Sequence, residues 1–164
     1  MTQQTIVLAA DHAGYELKEI IKKYLEDNGK KVFDVGAHKF VADDDYPIFM
    51  TEAAMMVARD MKGETKAIIF GGSGQGEAVV ANRFPGVRAT VWYGGKSQAS
   101  DQSVNPDHDV IKLSREHNDS NILSIGARFV TADETKKAVE LWLSTQFSNE
   151  EKHQRRILEI DNIE

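Results

Sequence analysis

Four glycines fall within six positions of Gly71-Gly72-Ser73-Gly74-Gln75-Gly76, and a carboxylate, Glu77, follows at once. Glycine permits positive φ and close backbone approach, so successive N–H groups of such a loop can converge on a phosphate, another anion or an enediolate oxygen. The same residues have a conformational reading. Glycines are common in tight strand-to-helix turns, and a glutamate in a first helical turn complements the macrodipole. On these residues alone the two readings are level.

Other groups invite the same weighing. Asp11-His12 ends the first apolar run, and Arg128 follows the last one. Lys152, His153 and Arg156 lie three and four residues apart and can share one helical face as a phosphate clamp, or else form a solvated helix pairing with Glu150 and Glu151. His12 and His117 are each unremarkable singly, but both are expected at element ends facing one rim. Several chemistries are disfavoured. A dinucleotide site needs its glycines after the first strand, where this chain has Asp11-His12-Ala13-Gly14. A P-loop needs lysine and a hydroxyl after its last glycine, and here Glu77-Ala78 follow. Ser73 lacks the G-x-S-x-G elbow. Asp43-Asp44-Asp45 reads as a solvated acidic loop, because consecutive residues do not converge on one ion without a shaped loop, so no metal is expected.

The elements that must position these groups follow from hydrophobic periodicity. Apolar runs at 5–10, 31–35, 68–70, 87–93 and 121–125 read as strands. Between them, Leu17, Ile20, Ile21, Tyr24 and Leu25 mark a first amphipathic helix, and Met50, Ala53, Ala54, Val57 and Met61 a second, with Pro47 in its first turn. A short helix follows Glu77, and another carries Val110, Leu113 and His117. Capping-box patterns at Thr131 with Glu134 and at Ser148 with Glu151 announce two more, the former burying Ala138, Val139 and Trp142. Residues 94–108 lose apolar rhythm and form a long polar connection. Strands alternating with helices predict an α/β protein, a Rossmann-like three-layer sandwich around a five-stranded parallel sheet. Ligands in such sheets bind beyond the strands' carboxyl ends, which puts Asp11, His12, the glycine loop, Glu77 and Arg128 on one rim.

Composition narrows the partners. The 164 residues fit a single domain, 1–164, and the net charge of −6 does not recommend nucleic acid or an anionic membrane. With no cysteine, thiol chemistry and disulfides are excluded. Met1-Thr2-Gln3-Gln4 lacks a basic segment and an apolar core, no run is long enough to span a membrane, and a cytoplasmic protein is expected.

Ala10-Asp11-His12-Ala13-Gly14-Tyr15-Glu16-Leu17-Lys18, Asp45-Tyr46-Pro47, the glycine loop with Glu77, Ala81-Asn82-Arg83, Arg115-Glu116-His117-Asn118 and His153-Gln154-Arg155-Arg156, in order through nearly the whole chain, resemble the type B ribose-5-phosphate isomerases, a family that includes the galactose-6-phosphate isomerase subunits. The resemblance implies interconversion of ribose 5-phosphate and ribulose 5-phosphate through a cis-enediolate, with neither metal nor cofactor. It implies a homodimer, often paired into a dimer of dimers, with active sites between subunits and the last helix, residues 149–162, packed on the partner. One branch of the family uses a cysteine where Gly71 stands; this chain looks like the branch whose base is a glutamate, here Glu77. By the same resemblance, Ser73 and the N–H groups of Gly72, Gly74 and Gly76 receive the oxyanion, His117 helps open the sugar ring, and Asp11 meets substrate hydroxyls. His12, Arg128, Lys152 and Arg156 are implied at the phosphate, and Tyr46, Asn118 and His153 complete the contacts. Two departures bear on the substrate: Lys152 replaces an expected arginine, and the 94–108 connection is longer than usual. A tetrose or hexose phosphate, or a non-catalytic sugar-phosphate sensor, are the alternatives.

Overall fold

The computed structural model describes residues 4–95 and 109–163. Strands β1 (Thr5–Ala10), β2 (Lys31–Asp34), β3 (Thr65–Gly71), β4 (Ala89–Trp92) and β5 (Ile122–Gly126) alternate with helices α1 (Tyr15–Asp27), α2 (Tyr46–Ala58), α3 (Gln75–Ala81), α4 (Val110–Asn118) and α5 (Ala132–Ser144), and α6 (Glu151–Asp161) follows. The strands form one parallel sheet in the order β2-β1-β3-β5-β4. This is the α/β sandwich the strand–helix alternation predicts. Successive side chains of a strand point to opposite faces, so each central strand feeds two cores. Ile6, Leu8, Ile68 and Phe70 pack with Leu17, Ile21, Ile111 and Trp142 on the α1, α4 and α5 face. Val7, Ala9, Ala67 and Ile69 pack with Met50, Ala53, Ala54 and Ala81 under α2 and α3. Coverage of both faces is why β1 and the end of β3 read as unbroken apolar runs, whereas the edge strand β2 alternates.

Several expected details are overturned. Helix α2 ends at Ala58, and Met61, expected in its buried stripe, is 95% exposed. The Asp60 carboxylate accepts the N–H groups of Lys62 and Thr65, folding the chain directly into β3 and leaving Met61 on the turn. In α1, Ile20 is exposed and Lys18 is buried instead. Lys18 is tolerated there because its Nζ donates to both Asp34 oxygens and to the Ala37 carbonyl, each at 2.8 Å. The buried side of α4 carries Ile111, Ser114 and Arg115, not Val110, whose side chain is exposed. The Thr131–Glu134 capping box is present, whereas α6 starts from Glu150. Ser148 Oγ accepts the Glu150 N–H at 3.3 Å, and Asn149 between them adopts a left-handed φ of 57°, so the serine sits too early to cap. Of the long polar connection at 94–108, residues 96–108 lie outside the described residues.

The sheet order also locates the crevice. From β1 the chain turns to α1 on one face, and from the adjacent β3 it turns to α3 on the other. The two loops part at the carboxyl ends of neighbouring strands, which opens a cleft at the switch point.

Candidate active site

That cleft, about 480 Å³, is lined on the β1 side by Asp11, His12 and Ala13 and on the β3 side by Gly72, Ser73, Gly76 and Glu77. Tyr46 from the start of α2 and Arg128 and Phe129 from the loop after β5 complete it. Glu77 sits in the first turn of α3 and is only 4% exposed. Burial raises its pKa most, and the Asp11 charge adds to the rise, while its own N–H and that of Gly74 pull the other way. The result is a carboxylate held more basic than an ordinary glutamate.

Gly71 explains how the carboxylate fits. A Cβ at that position would lie 1.7 Å from Glu77 Oε1 and 2.1 Å from its Cδ. A side chain at 71 and the carboxylate of Glu77 therefore compete for one space. Gly74, at φ 78°, ends the loop as the N-cap of α3, and its carbonyl accepts the Ser124 hydroxyl at 2.7 Å. Ser124, buried in β5, pins the loop from below; a serine inside an apolar strand run was its only sequence signal. The N–H groups of Gly72 and Ser73 donate to no group among the described residues, and the Ser73 side chain is exposed, its oxygen accepting the Gln75 N–H at 3.3 Å.

On the opposite wall, Asp11 Oδ1 accepts the N–H groups of Ala13 and Gly14 at 2.9 and 3.0 Å, which fixes the carboxylate at the end of β1. The Tyr46 ring lies against Gly76, where a Cβ would come within 2.8 Å of the phenol. The Arg128 guanidinium passes close over Gly72 and makes no ion pair among the described residues. Asp44 corrects the reading of the acidic loop. Its side chain is 11% exposed, and its Oδ1 accepts both the backbone N–H and the ring Nδ1–H of His12, each at 2.8 Å. Asp11, His12 and Asp44 bring one ligating atom each within 4.8 Å of one another, and within that cluster His12 Nδ1 and Asp44 Oδ1 are joined by the 2.8 Å hydrogen bond.

The structure does not bring the remaining candidates into this cleft. His117 and Asn118 end α4, which runs antiparallel to the strands and delivers them to the amino end of the sheet, so His12 and His117 of one chain do not face the same rim. There the Asn118 carbonyl accepts Arg88 Nε at 2.9 Å. On α6, Lys152 is exposed and pairs with Glu150 at 2.8 Å, and Arg156 is exposed. His153 is buried and stacks on His117 at 4.3 Å between ring centres, 12° from parallel. Burial lowers the His153 pKa, and His117 beside it lowers it further, which favours a neutral ring.

A buried carboxylate of raised pKa, beside a loop whose Gly72 and Ser73 N–H groups donate to nothing among the described residues, stands at the switch point of a parallel α/β sheet, the chemistry of a small-ligand site suited to proton transfer. The ribose/galactose isomerase family model matches residues 6–160, and the chain belongs to that family. It is similar to ribose-5-phosphate isomerase B of Mycobacterium tuberculosis, 37% identical over 157 residues that cover 96% of this chain and 88% of that protein. It is similar also to ribose-5-phosphate isomerase B of Escherichia coli, 34% identical over 160 residues covering 97% and 95%. Among solved structures, ribose-5-phosphate isomerase B of Mycoplasma genitalium with bound ribulose-5-phosphate superposes with a TM-score of 0.83 at 33% identity, covering 96% of this chain and 93% of that one.

Proposed function

We propose that this protein interconverts ribose 5-phosphate and ribulose 5-phosphate, with Glu77 as the base. The observation that carries the mechanism is the buried Glu77 carboxylate in the space that a side chain at Gly71 would fill. The names of its relatives, and the ribulose-5-phosphate bound by one of them, support the substrate. Glu77 takes the proton from C2 of the open-chain aldose and returns it to C1, through a cis-enediolate. The free N–H groups of Gly72 and Ser73, with the Ser73 hydroxyl, receive the developing oxyanion. The Gly74 N–H lies toward Glu77 and orients the base instead. Asp11, its Oδ1 spent on the backbone, turns its second oxygen to substrate hydroxyls. Tyr46 and Gly76 form the wall beside the sugar, and His12 and Arg128 take the phosphate.

The cleft of one chain is incomplete, and we assign its missing wall to a second copy. In that homodimer, the partner supplies His117 for ring opening, braced by the stacked His153, together with Asn118, Lys152 and Arg156. Helix α6 packs across the interface of the single-domain chains, and dimers of dimers are compatible with it. Its exposed Leu158 and Ile160 offer apolar area for the purpose. We place the enzyme in the cytoplasm, with the pool of phosphorylated sugars; no helix among the described residues is long and apolar enough to cross a membrane.

Incubation with a panel of aldose phosphates in heavy water tests the reading. Ribose 5-phosphate is expected to give ribulose 5-phosphate with deuterium incorporated. A tetrose or hexose phosphate turned over much faster would overturn the substrate, and binding without exchange on any sugar would mark a sensor. Mixing inactive Glu77→Gln and His117→Asn proteins tests the shared site, because random heterodimers restore about a quarter of the intact sites. A mixture that stays inactive would overturn it.

A further inference from the structure

We infer that Asp44 is a positioning residue of this cleft: it holds the His12 ring by Nδ1, so that Nε2–H is the donor presented to the phosphate of the substrate. The inference rests on the phosphosugar reading and adds to it a residue outside the glycine loop and the basic positions.

The geometry carries the argument. A carboxylate only accepts, so the 2.8 Å contact between Asp44 Oδ1 and His12 Nδ1 requires the proton on Nδ1 and leaves Nε2 as the unengaged ring atom. The same oxygen accepts the His12 backbone N–H at 2.8 Å, so Asp44 grips the residue at two points and fixes ring and main chain together. Asp44 Oδ2 is buried and has no hydrogen-bond partner among the described residues, and within them His12 is the cation paired with that carboxylate. The loop is shaped for this contact: Asp43 adopts a left-handed φ of 62°, the Asp44 N–H donates to the Val41 carbonyl at 3.3 Å, and Asp45 then takes the N-cap position of α2, where its carbonyl, not its side chain, accepts the Ile48 N–H. Consecutive aspartates thus do three different things.

The electrostatics agree. The hydrogen bond to Asp44 raises the His12 pKa most; partial burial opposes it, and the charges of Asp11, Asp44 and Asp43 add to the rise. Glu77, Tyr46 and Arg128 are the other titratable or charged groups lining the same cleft. A cationic His12 gives a dianionic phosphate a charge-assisted Nε2–H donor, whereas the neutral ring in the Nδ1–H tautomer that Asp44 holds would offer it the Nε2 lone pair.

The test separates this inference from the substrate assignment. NMR titration of His12 in the unliganded protein needs no turnover: Asp44→Asn is expected to lower its pKa and to release the Nδ1–H tautomer. Kinetically, losing one charge-assisted grip is expected to raise KM about tenfold while kcat falls by less than about threefold. Because the cation is the binding form, KM rises as pH passes above the His12 pKa, and in Asp44→Asn that rise begins at lower pH. His12→Gln combined with Asp44→Asn is expected to bind no worse than His12→Gln alone. An unshifted His12 titration, or additive losses in the double variant, would overturn the inference. If no sugar phosphate is turned over, the substrate reading fails, while the titration still decides whether Asp44 sets the state of His12.

Discussion

The two ends of the sheet use polar residues in opposite ways. At the amino end, Arg115, almost fully buried, donates to the Ser120 carbonyl at 2.6 Å, the Thr145 carbonyl at 3.2 Å and Asp119 at 2.8 Å. Arg88 beside it reaches the carbonyls of Gly86, Asn118 and Asp119 and pairs with Asp119 and Asp161. At the carboxyl end, the Arg128 guanidinium, one Asp44 oxygen and the N–H groups of Gly72 and Ser73 are left without partners among the described residues, and Glu77 is buried against its own preference. Groups that satisfy one another hold the fold, and groups left unsatisfied at a cleft are available to a ligand.

Substitutions at the two ends should therefore differ in sign as well as in size. The largest effect is expected for Glu77→Gln, which lowers kcat by about a thousandfold and raises Tm at neutral pH. The pH dependence has a definite direction. A glutamate whose folded pKa is raised contributes stability below its unfolded pKa and loses it as pH rises through the folded one, so the Tm advantage of Glu77→Gln disappears in acid. Calorimetry across pH, beside initial rates, checks both halves, and a loss of Tm at neutral pH would break the contrast. Arg115→Met at the amino end is expected to cost about 3 kcal/mol in denaturant unfolding, because it strands buried carbonyls.

Gly71→Ala comes next, with kcat down about a hundredfold, because its Cβ displaces the Glu77 carboxylate by the order of an ångström. An alanine variant with unchanged kcat would show that the base does not need this space. The smallest effect is expected at Lys66, a cation at the amino end that is unpaired among the described residues. It is 8% exposed, its Nζ lies 5.5 Å over the Trp142 ring, and that Nζ has no hydrogen bond or ion pair among the described residues. Burial, and then the Arg115 charge, lowers its pKa to about 8. Lys66→Met is expected to gain about 1 kcal/mol at pH 7. The unfolded lysine keeps its proton to higher pH than the folded one, so the wild type gains stability as pH rises from about 8 toward 10.5 and the variant's advantage closes.

Much of the fold was legible because strand runs and helix stripes are local patterns with fixed periods. The departures trace to polar groups whose partners are distant in sequence. Lys18 is buried in place of Ile20 because Asp34 lies sixteen residues away, and Arg115 is buried on α4 because it donates to the Thr145 carbonyl thirty residues away. Periodicity carries no information about such pairs.

By itself, the sequence determined the layered α/β architecture, the glycine loop ending in Glu77, and the rim formed by Asp11, His12, Ser73 and Arg128. The strand–helix alternation and the carboxyl-end rule carry that much, whereas the order β2-β1-β3-β5-β4 came from the structure. The tertiary structure alone decided that Asp44, one of three adjacent aspartates, turns inward onto His12, and that Gly71 vacates the space Glu77 fills. It also decided that His117 and His153 stack at the far end of the sheet rather than joining the cleft of their own chain. Each of those outcomes depends on which atoms meet in space after the chain has crossed the sheet, and that distance is not encoded in spacing along the sequence.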